Sequence, residues 1–444
     1  MNKTNPISEK IKDQAEFVQY LRERIFSRLP KDLEESAKTH GAILRKRIIK
    51  SAENILLMFF VYALSNISER VLAALAGATI ETDMSDQAWQ KKMLKCSNWL
   101  IHLLNMCLPI KPPRQIQATF KGRDIKLVDS SCVKQEGTDG ETIRIHTCYS
   151  LSAGKTDEVS VTDNKTAESF KPFSISESSI YTGDCGYGKG KNLDEVVSQK
   201  ADVILRVTPN HLSLASDPKG KKKIDMAEKL GATDQNVVDI PCYVHTENNK
   251  YVKARIIASR LPEDKALEAI ERKKRNAQKK QTKAIKDETL IYAQWVIIMT
   301  SLSQEEYSAT DILGLYRLRW QIELLFKRIK QAFNVTKIRA ASIKHSKVLV
   351  LLWLIAWVII EGETVAWEIA LIAKQENMSL YSPWTATRFA FEMFKADIYC
   401  LVRLTLDENK LLVIHKRLRN HKSRRKNQFA NFCFSSLFTN TSEA

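Results

Sequence analysis

The stretch YRLRWQIELLFKRIK, residues 316–330, carries five basic side chains and one acid. The bases are Arg317, Arg319, Lys327, Arg328 and Lys330; the acid is Glu323. At about 100° per residue, positions i, i+3, i+7 and i+14 of a helix fall within an arc of about 60°. Tyr316, Arg319, Glu323 and Lys330 have that spacing, while Leu318, Ile322, Leu325 and Ile329 gather on a separate, core-type face. The carboxylate therefore shares a stripe with a phenol and two cations, beside a buried face. The plainer reading is an i,i+4 ion pair between Glu323 and Lys327, worth about 0.2–0.5 kcal/mol.

One carboxylate does not make a metal site, and two others stand where an α/β sheet would deliver them. Asp129 closes IKLVD, where apolar alternation gives way to SSCV, and Asp184 closes SSIYTGD ahead of the glycine-rich CGYGKG. Side chains at strand ends facing a crevice are the usual way such sheets build sites, although a strand-end aspartate is also a common turn former. Asp163, Asp194 and Asp202 compete, with the look of turn or cap residues. Three carboxylates suit phosphodiester transfer, in which two divalent ions activate the attacking oxygen and stabilise the leaving one. Mg²⁺ prefers carboxylate oxygens completed by water and substrate phosphate. The flanking cations would then position DNA phosphates.

The bulk properties fit that chemistry. With 444 residues the chain has room for two or three domains, and its net charge of +18 points to nucleic acid before an anionic membrane surface. The start, MNKTNPISEKIKDQAEF, lacks the apolar core of a signal peptide. The apolar runs 55–64 and 348–360 are shorter than the ~18–20 residues that span a bilayer, so both read as buried helices and no membrane partner is expected. The eight cysteines show no zinc-type spacing, which suits free thiols in a reducing cytosol.

The elements that must position the carboxylates follow from periodicity. Residues 1–115 read as helical, with Ser85 or Asp86 capping a helix. This region is either a helix-turn-helix that enters a major groove or a packing bundle. The prolines of LPIKPPRQ (108–115) form a linker. Alternating β-branched runs then give strands through RDIKLVDSS, TIRIHTCYSL, DEVSVTD and SSIYTGD, followed by a helix at NLDEVVSQKA and a strand at DVILRVT. DIPCYVHTENNKYVKARIIASRL (239–261) reads as a hairpin turning at Asn248–Asn249, and 268–288 as a basic, solvated helix. The run 290–302 reads as a returning core strand, 310–332 as one helix and 346–373 as an apolar helix; the basic run HKRLRNHKSRRKNQ lies in the tail.

YRLRWQIELLFKRIKQ resembles the Y-R-E-K signature of bacterial insertion-sequence transposases with a DDE site, with Tyr316, Arg319, Glu323 and Lys330 at its spacing. LVDSS and IYTGDCGYG resemble that family's two aspartate motifs, placing Asp129 and Asp184; Cys185 stands where the family often has arginine, so a basic contact is lost. The resemblance implies a ribonuclease H-like α/β core split by a mostly β insertion and flanked by helical regions. The expected divisions are 116–238 and 290–375 for the core, 239–289 for the insertion, and 376–444 for a helical, basic C-terminal region.

It further implies Asp129, Asp184 and Glu323 as ligands of two Mg²⁺ ions, with Mn²⁺ as substitute. Tyr316, Arg319 and Lys330 would contact phosphates. Trp295, 28 residues before Glu323, stands where such enzymes hold a flipped base; it is equally readable as a core residue, and Trp320 is the other candidate. Cut-and-paste transposition through a hairpin is implied, on double-stranded element ends and target DNA. So are a homodimer on DNA and a bacterial cytoplasmic, nucleoid-associated setting. Two other readings remain open: a catalytically inactive DNA-binding repressor of transposition, and a metal-dependent nuclease without joining.

Overall fold

Helical periodicity at both ends and strand periodicity between them correspond to two compact units. The computed structural model describes residues 14–44, 49, 51–65, 67–110, 119–138, 140–247, 250–279, 285–333, 337–338, 340, 342–374, 382–406 and 408–418. One unit comprises residues 1–104, 351–356 and 389–444, the other residues 105–350 and 357–388. The linker residues 111–115, the turn at Asn248–Asn249 and the tail from residue 419 lie outside the described residues.

The chain opens with six helices: α1 (Gln14–Phe26), α2 (Leu33–Thr39), α3 (Ala52–Leu64), α4 (Glu69–Thr79), α5 (Asp86–Lys95) and α6 (Ser97–Ile110). Ser51, Ser68 and Ser85 each accept a hydrogen bond from the backbone N–H three residues on, which starts α3, α4 and α5. Ser85 rather than Asp86 is thus the cap of α5. Phe59, Phe60, Trp89 and Trp99 are completely buried. The Trp99 indole N–H donates to Ser36 Oγ at 3.2 Å, so the large ring is buried without an orphaned donor.

The second unit is built on one mixed sheet. Its first strands are β1 (Thr119–Phe120), β2 (Arg123–Gln135), β3 (Glu141–Ser150), β4 (Lys155–Asp163) and β5 (Ile180–Gly183); α7 (Gly190–Val197) then leads to β6 (Asp202–Arg206). The order is β4-β3-β2-β5-β6. Strands β2 to β4 form an antiparallel meander, and β5 and β6 add in parallel to β2. This pattern is consistent with a ribonuclease H-like core. The central strands are apolar on both faces, as parallel strands covered on both sides are: Leu127, Val128, Ile180, Tyr181, Val203, Ile204 and Leu205 are fully enclosed or nearly so.

After β6 the sheet continues rather than ends. β7 (Leu214–Ala215), α8 (Met226–Gly231), β8 (Val237–His245), β9 (Tyr251–Arg260), α9 (Glu263–Lys279), α10 (Asp287–Ala293) and β10 (Trp295–Thr300) follow. β10 lies antiparallel between β6 and β9, so the sheet runs on as β6-β10-β9-β8-β7. Two expectations need correction here. The run from 290 is helical up to Ala293 before it becomes strand. The basic helix expected over 268–288 is present as α9, but it starts earlier, at Glu263, so that 239–289 is not mostly β.

The expected single helix 310–332 is two, α11 (Ala309–Arg317) and α12 (Trp320–Ala332). After them come β11 (Lys337–Ile338), α13 (Ile343–Ala373), α14 (Pro383–Leu404) and α15 (Glu408–Leu418). The stretch Ile343–Trp367 of α13 is long and apolar enough to cross a membrane, but 89% of its most apolar window is buried in protein.

The turn after β5 needs glycine for close approach rather than for unusual backbone angles. A Cβ on Gly188 would stand 2.2 Å from the backbone oxygen of Arg206, and one on Gly190 would stand 2.1 Å from that of His245. Gly190→Ala should therefore lower unfolding stability by about 2 kcal/mol or more in urea titrations. Gly314→Ala, within α11 and with nothing within 4 Å of the new methyl, should raise it by about 0.5–1 kcal/mol.

Candidate active site

The parallel ladder between β2 and β5 pairs Ile125 with Ile180, Lys126 with Tyr181 and Leu127 with Thr182, and then stops. Asp129 and Asp184 lie two residues beyond that last pair, Asp129 on β2 and Asp184 directly after β5. Side chains alternate along a strand, so Asp129 falls on the face of Leu127. Asp129 was expected at a strand end; instead β2 runs on to Gln135, held by β3. What ends before Asp129 is the pairing with β5, and the crevice lies at the end of that ladder. Asp184 follows β5 directly, as expected. Its Oδ1 accepts the Gly186 N–H at 2.9 Å, and Asp129 Oδ1 accepts the Ser130 N–H at 2.7 Å.

The third carboxylate arrives from α12. Between α11 and α12 the chain stays helical but tightens. The N–H groups of Leu318, Arg319, Gln321 and Ile322 bond to carbonyls three residues back rather than four. Arg319 sits in this turn. Its guanidinium bonds the Glu323 carboxylate and lies 3.7 Å from Asp129 Oδ2. Glu323 thus pairs within its helix, but with Arg319 and not Lys327. Arg319 links it to Asp129 on the sheet.

Tyr316 lies under the Arg319 guanidinium, 5.8 Å from ring centroid to Cζ, and Arg319 is the cation beside its buried hydroxyl. Lys330 is in the last turn of α12, half-buried, seven residues beyond Glu323. The competing aspartates are engaged elsewhere. Asp163 accepts from Lys165 and Thr166 in a turn, Asp194 pairs with Lys250, and Asp202 pairs with Arg123.

Beside Asp184 a cavity of about 240 Å³ opens, lined by Cys185, Arg206, Asn210, and the α9 residues Arg272, Lys273 and Asn276. Trp295 also lines it, but is 4% exposed and belongs to the apolar core. The Arg260 guanidinium covers its ring at 4.8 Å. Trp320, by contrast, is 59% exposed at the start of α12.

Charge is concentrated at the crevice. Burial, with the Asp184 and Glu168 charges adding to it, pushes the Asp129 carboxyl up to about 7; the Ser130 N–H and Arg319 oppose the rise. Glu168 is a fourth acid here that sequence reasoning missed. It lies in a polar loop whose sequence carries no signal of the contact. The donors are all carboxylate oxygens, the kind that Mg²⁺ and Mn²⁺ take, and the buried negative charge is only partly offset. In kind the site fits a divalent cation. As placed, no three Asp, Glu, His or Cys side chains among the described residues converge closely enough to hold an ion, with Arg319 reaching both Asp129 and Glu323.

Residues 121–359, more than half of the chain and the whole crevice, match the transposase DDE domain family. The chain belongs to the DDE transposases. It is 28% identical over 317 residues to the putative transposase InsL of insertion sequence element IS186A from Escherichia coli K12, an alignment covering 70% of this chain and 84% of that protein. Identity is also 28%, over 318 residues, to the transposase of insertion sequence element IS421 from Escherichia coli, with the same coverage. This transposase is accordingly an enzyme of polynucleotidyl transfer that acts on DNA, in a family that uses divalent metal ions.

The raised Asp129 carboxyl has a consequence for the metal-free transposase. Its folded value of about 7 lies above the ordinary 3.8, so the fold favours the protonated acid. That contribution is complete below about pH 4 and is lost as pH rises through 7. Asp129→Asn, neutral throughout, should raise the melting temperature in EDTA by a few degrees at pH 8 and leave it unchanged at pH 4.

Proposed function

We propose that Asp129, Asp184 and Glu323 together hold the two divalent ions, Mg²⁺ or in its place Mn²⁺, with which this transposase cuts and joins DNA at the ends of its mobile element. The observation carrying this reading is the pair of aspartates two residues beyond the last β2–β5 pair, with Glu323 tied to the same point through Arg319. When bound, the ions supply activation of the attacking oxygen and stabilisation of the leaving one.

The chain's own residues do the remaining work. Asp129 and Asp184, fixed by the N–H groups of Ser130 and Gly186, present oxygens on one side of the crevice, and Glu323 presents its own from the other. Arg319, which holds Asp129 and Glu323 in the metal-free protein, would with those carboxylates bound to metal be available to a DNA phosphate, for which its fork is suited. The Tyr316 hydroxyl and the Lys330 ammonium bind phosphates beside it. We read the reaction as cut-and-paste through a hairpin, carried out by a homodimer that pairs two ends in the bacterial cytoplasm. An unstacked base needs an aromatic or apolar pocket. Trp295, at the edge of the basic cavity, and exposed Trp320 are the two candidate platforms for such a base. The N-terminal helices are assigned to end recognition or packing, and 239–289 to the insertion.

Glu323→Gln should lower Mg²⁺-dependent nicking of DNA carrying an element end by about 100-fold or more, with end binding in gel shifts little changed. Nicking at the wild-type rate would remove Glu323 from the site. Arg319→Ala and Lys330→Ala should each reduce the slope of log affinity against log salt by about 1. Unchanged slopes would contradict their phosphate role.

A further inference from the structure

Glu168 lies in the loop between β4 and β5, on neither aspartate strand nor on α12. Its carboxylate nevertheless touches both aspartate segments. Oε1 accepts a 2.6 Å hydrogen bond from the hydroxyl of Ser130, the residue after Asp129. Arg144 of β3 stands 3.3 Å from that same oxygen and donates to Ser130 Oγ at 3.4 Å. The other oxygen fills the space above Gly186, the residue whose N–H holds Asp184. A Cβ on Gly186 would stand 1.5 Å from Glu168 Oε2 and 3.2 Å from Asp184 Oδ1. Glycine at 186 is therefore what admits the Glu168 carboxylate, since the Gly186 backbone angle itself is not in the left-handed region.

Resting on the metal-site reading above, we propose that Glu168 is a positioning residue that sets the spacing between Asp129 and Asp184. It braces the segment after Asp129 against the turn after Asp184, across the gap where the β2–β5 ladder has ended and, among the described residues, no backbone hydrogen bond does so. Arg144 is the reason a further carboxylate is tolerated there: it offsets the added charge and orients Oε1 and Ser130 together. The Oε1 atom is committed to Ser130 and Arg144, which sets Glu168 apart from the three proposed ligands.

The test uses the full chain and two readouts: Mn²⁺ affinity from the free-ion electron paramagnetic resonance signal, and single-turnover nicking of end DNA. Glu168→Ala should weaken Mn²⁺ binding and slow nicking, each by about 10-fold or more, with end binding and melting temperature near wild type. Glu168→Gln keeps an oxygen for Ser130 and should recover both to within about threefold. Gly186→Ala should resemble Glu168→Ala, because its methyl takes the carboxylate's place. Added to Glu168→Ala, it should cost less than about twofold more.

Wild-type Mn²⁺ affinity and nicking in Glu168→Ala would overturn the proposal. So would a Glu168→Gln as impaired as Glu168→Ala, which would make its charge, not its bond, the active feature. Fully multiplicative effects of Glu168→Ala and Gly186→Ala would overturn it as well. Asp184→Asn separates the two levels: if that variant nicks normally, the metal-site reading itself fails. If it is inactive while Glu168→Ala is normal, only the bracing role fails.

Discussion

Like charges that must stay together are the constraint on which this molecule turns. Asp129, Asp184 and Glu168 gather where the β2–β5 ladder ends, and Glu323 is tied to Asp129 through Arg319, partly out of water, where carboxylates repel most strongly. Two arginines from separate elements make the cluster tolerable, Arg319 against Asp129 and Glu323 and Arg144 against Glu168. The Asp129 carboxyl still rises to about 7, so the compensation is incomplete. A divalent cation would complete it. On the proposed reading, the same shortage of positive charge that costs the metal-free protein stability is what would make the site receptive to metal.

The fold supplies this by rationing hydrogen bonds. β2 keeps its ladder with β3 along nearly its whole length, while its ladder with β5 stops at Leu127 and Thr182. A rigid strand thus carries Asp129 past the end of its parallel partner. On the helical side, the tightened turn between α11 and α12 shifts Arg319 and Glu323 relative to Tyr316 without breaking the right-handed path. A tightened stretch within a helix is a common place for a functional hinge, and here it holds the cation that bridges helix and sheet. The sheet's extension through β10 sets α9 and its bases beside Asp184.

Much of this was legible in the sequence because burial and periodicity are local. The runs holding Leu127, Tyr181 and Val203 read as strands, whereas the single stripe expected for Tyr316, Arg319, Glu323 and Lys330 assumed one helix and the chain forms two. What could not be read depended on partners distant in the chain. Asp129 looked like a strand end because SSCV turns polar, yet β3 holds that polar stretch in register. The break at Leu318–Arg319 carries no glycine or proline to announce it. Leu290–Ala293 looked like strand from composition, whereas Asp287 and Glu288 start a helix whose first turn favours acids. Glu168 sits in a loop of turn-forming residues, and only the folded chain brings it to Ser130 and Gly186.

The central claim is that three carboxylates from β2, the turn after β5 and α12 form one metal-holding site. Anomalous diffraction at the manganese edge from crystals grown with Mn²⁺ tests it most directly. The account predicts anomalous density in the crevice in contact with Asp129, Asp184 and Glu323, with the Arg319 guanidinium withdrawn from both of its carboxylates. A crevice without anomalous density at saturating Mn²⁺, with Arg319 still bonded to Glu323, would contradict it.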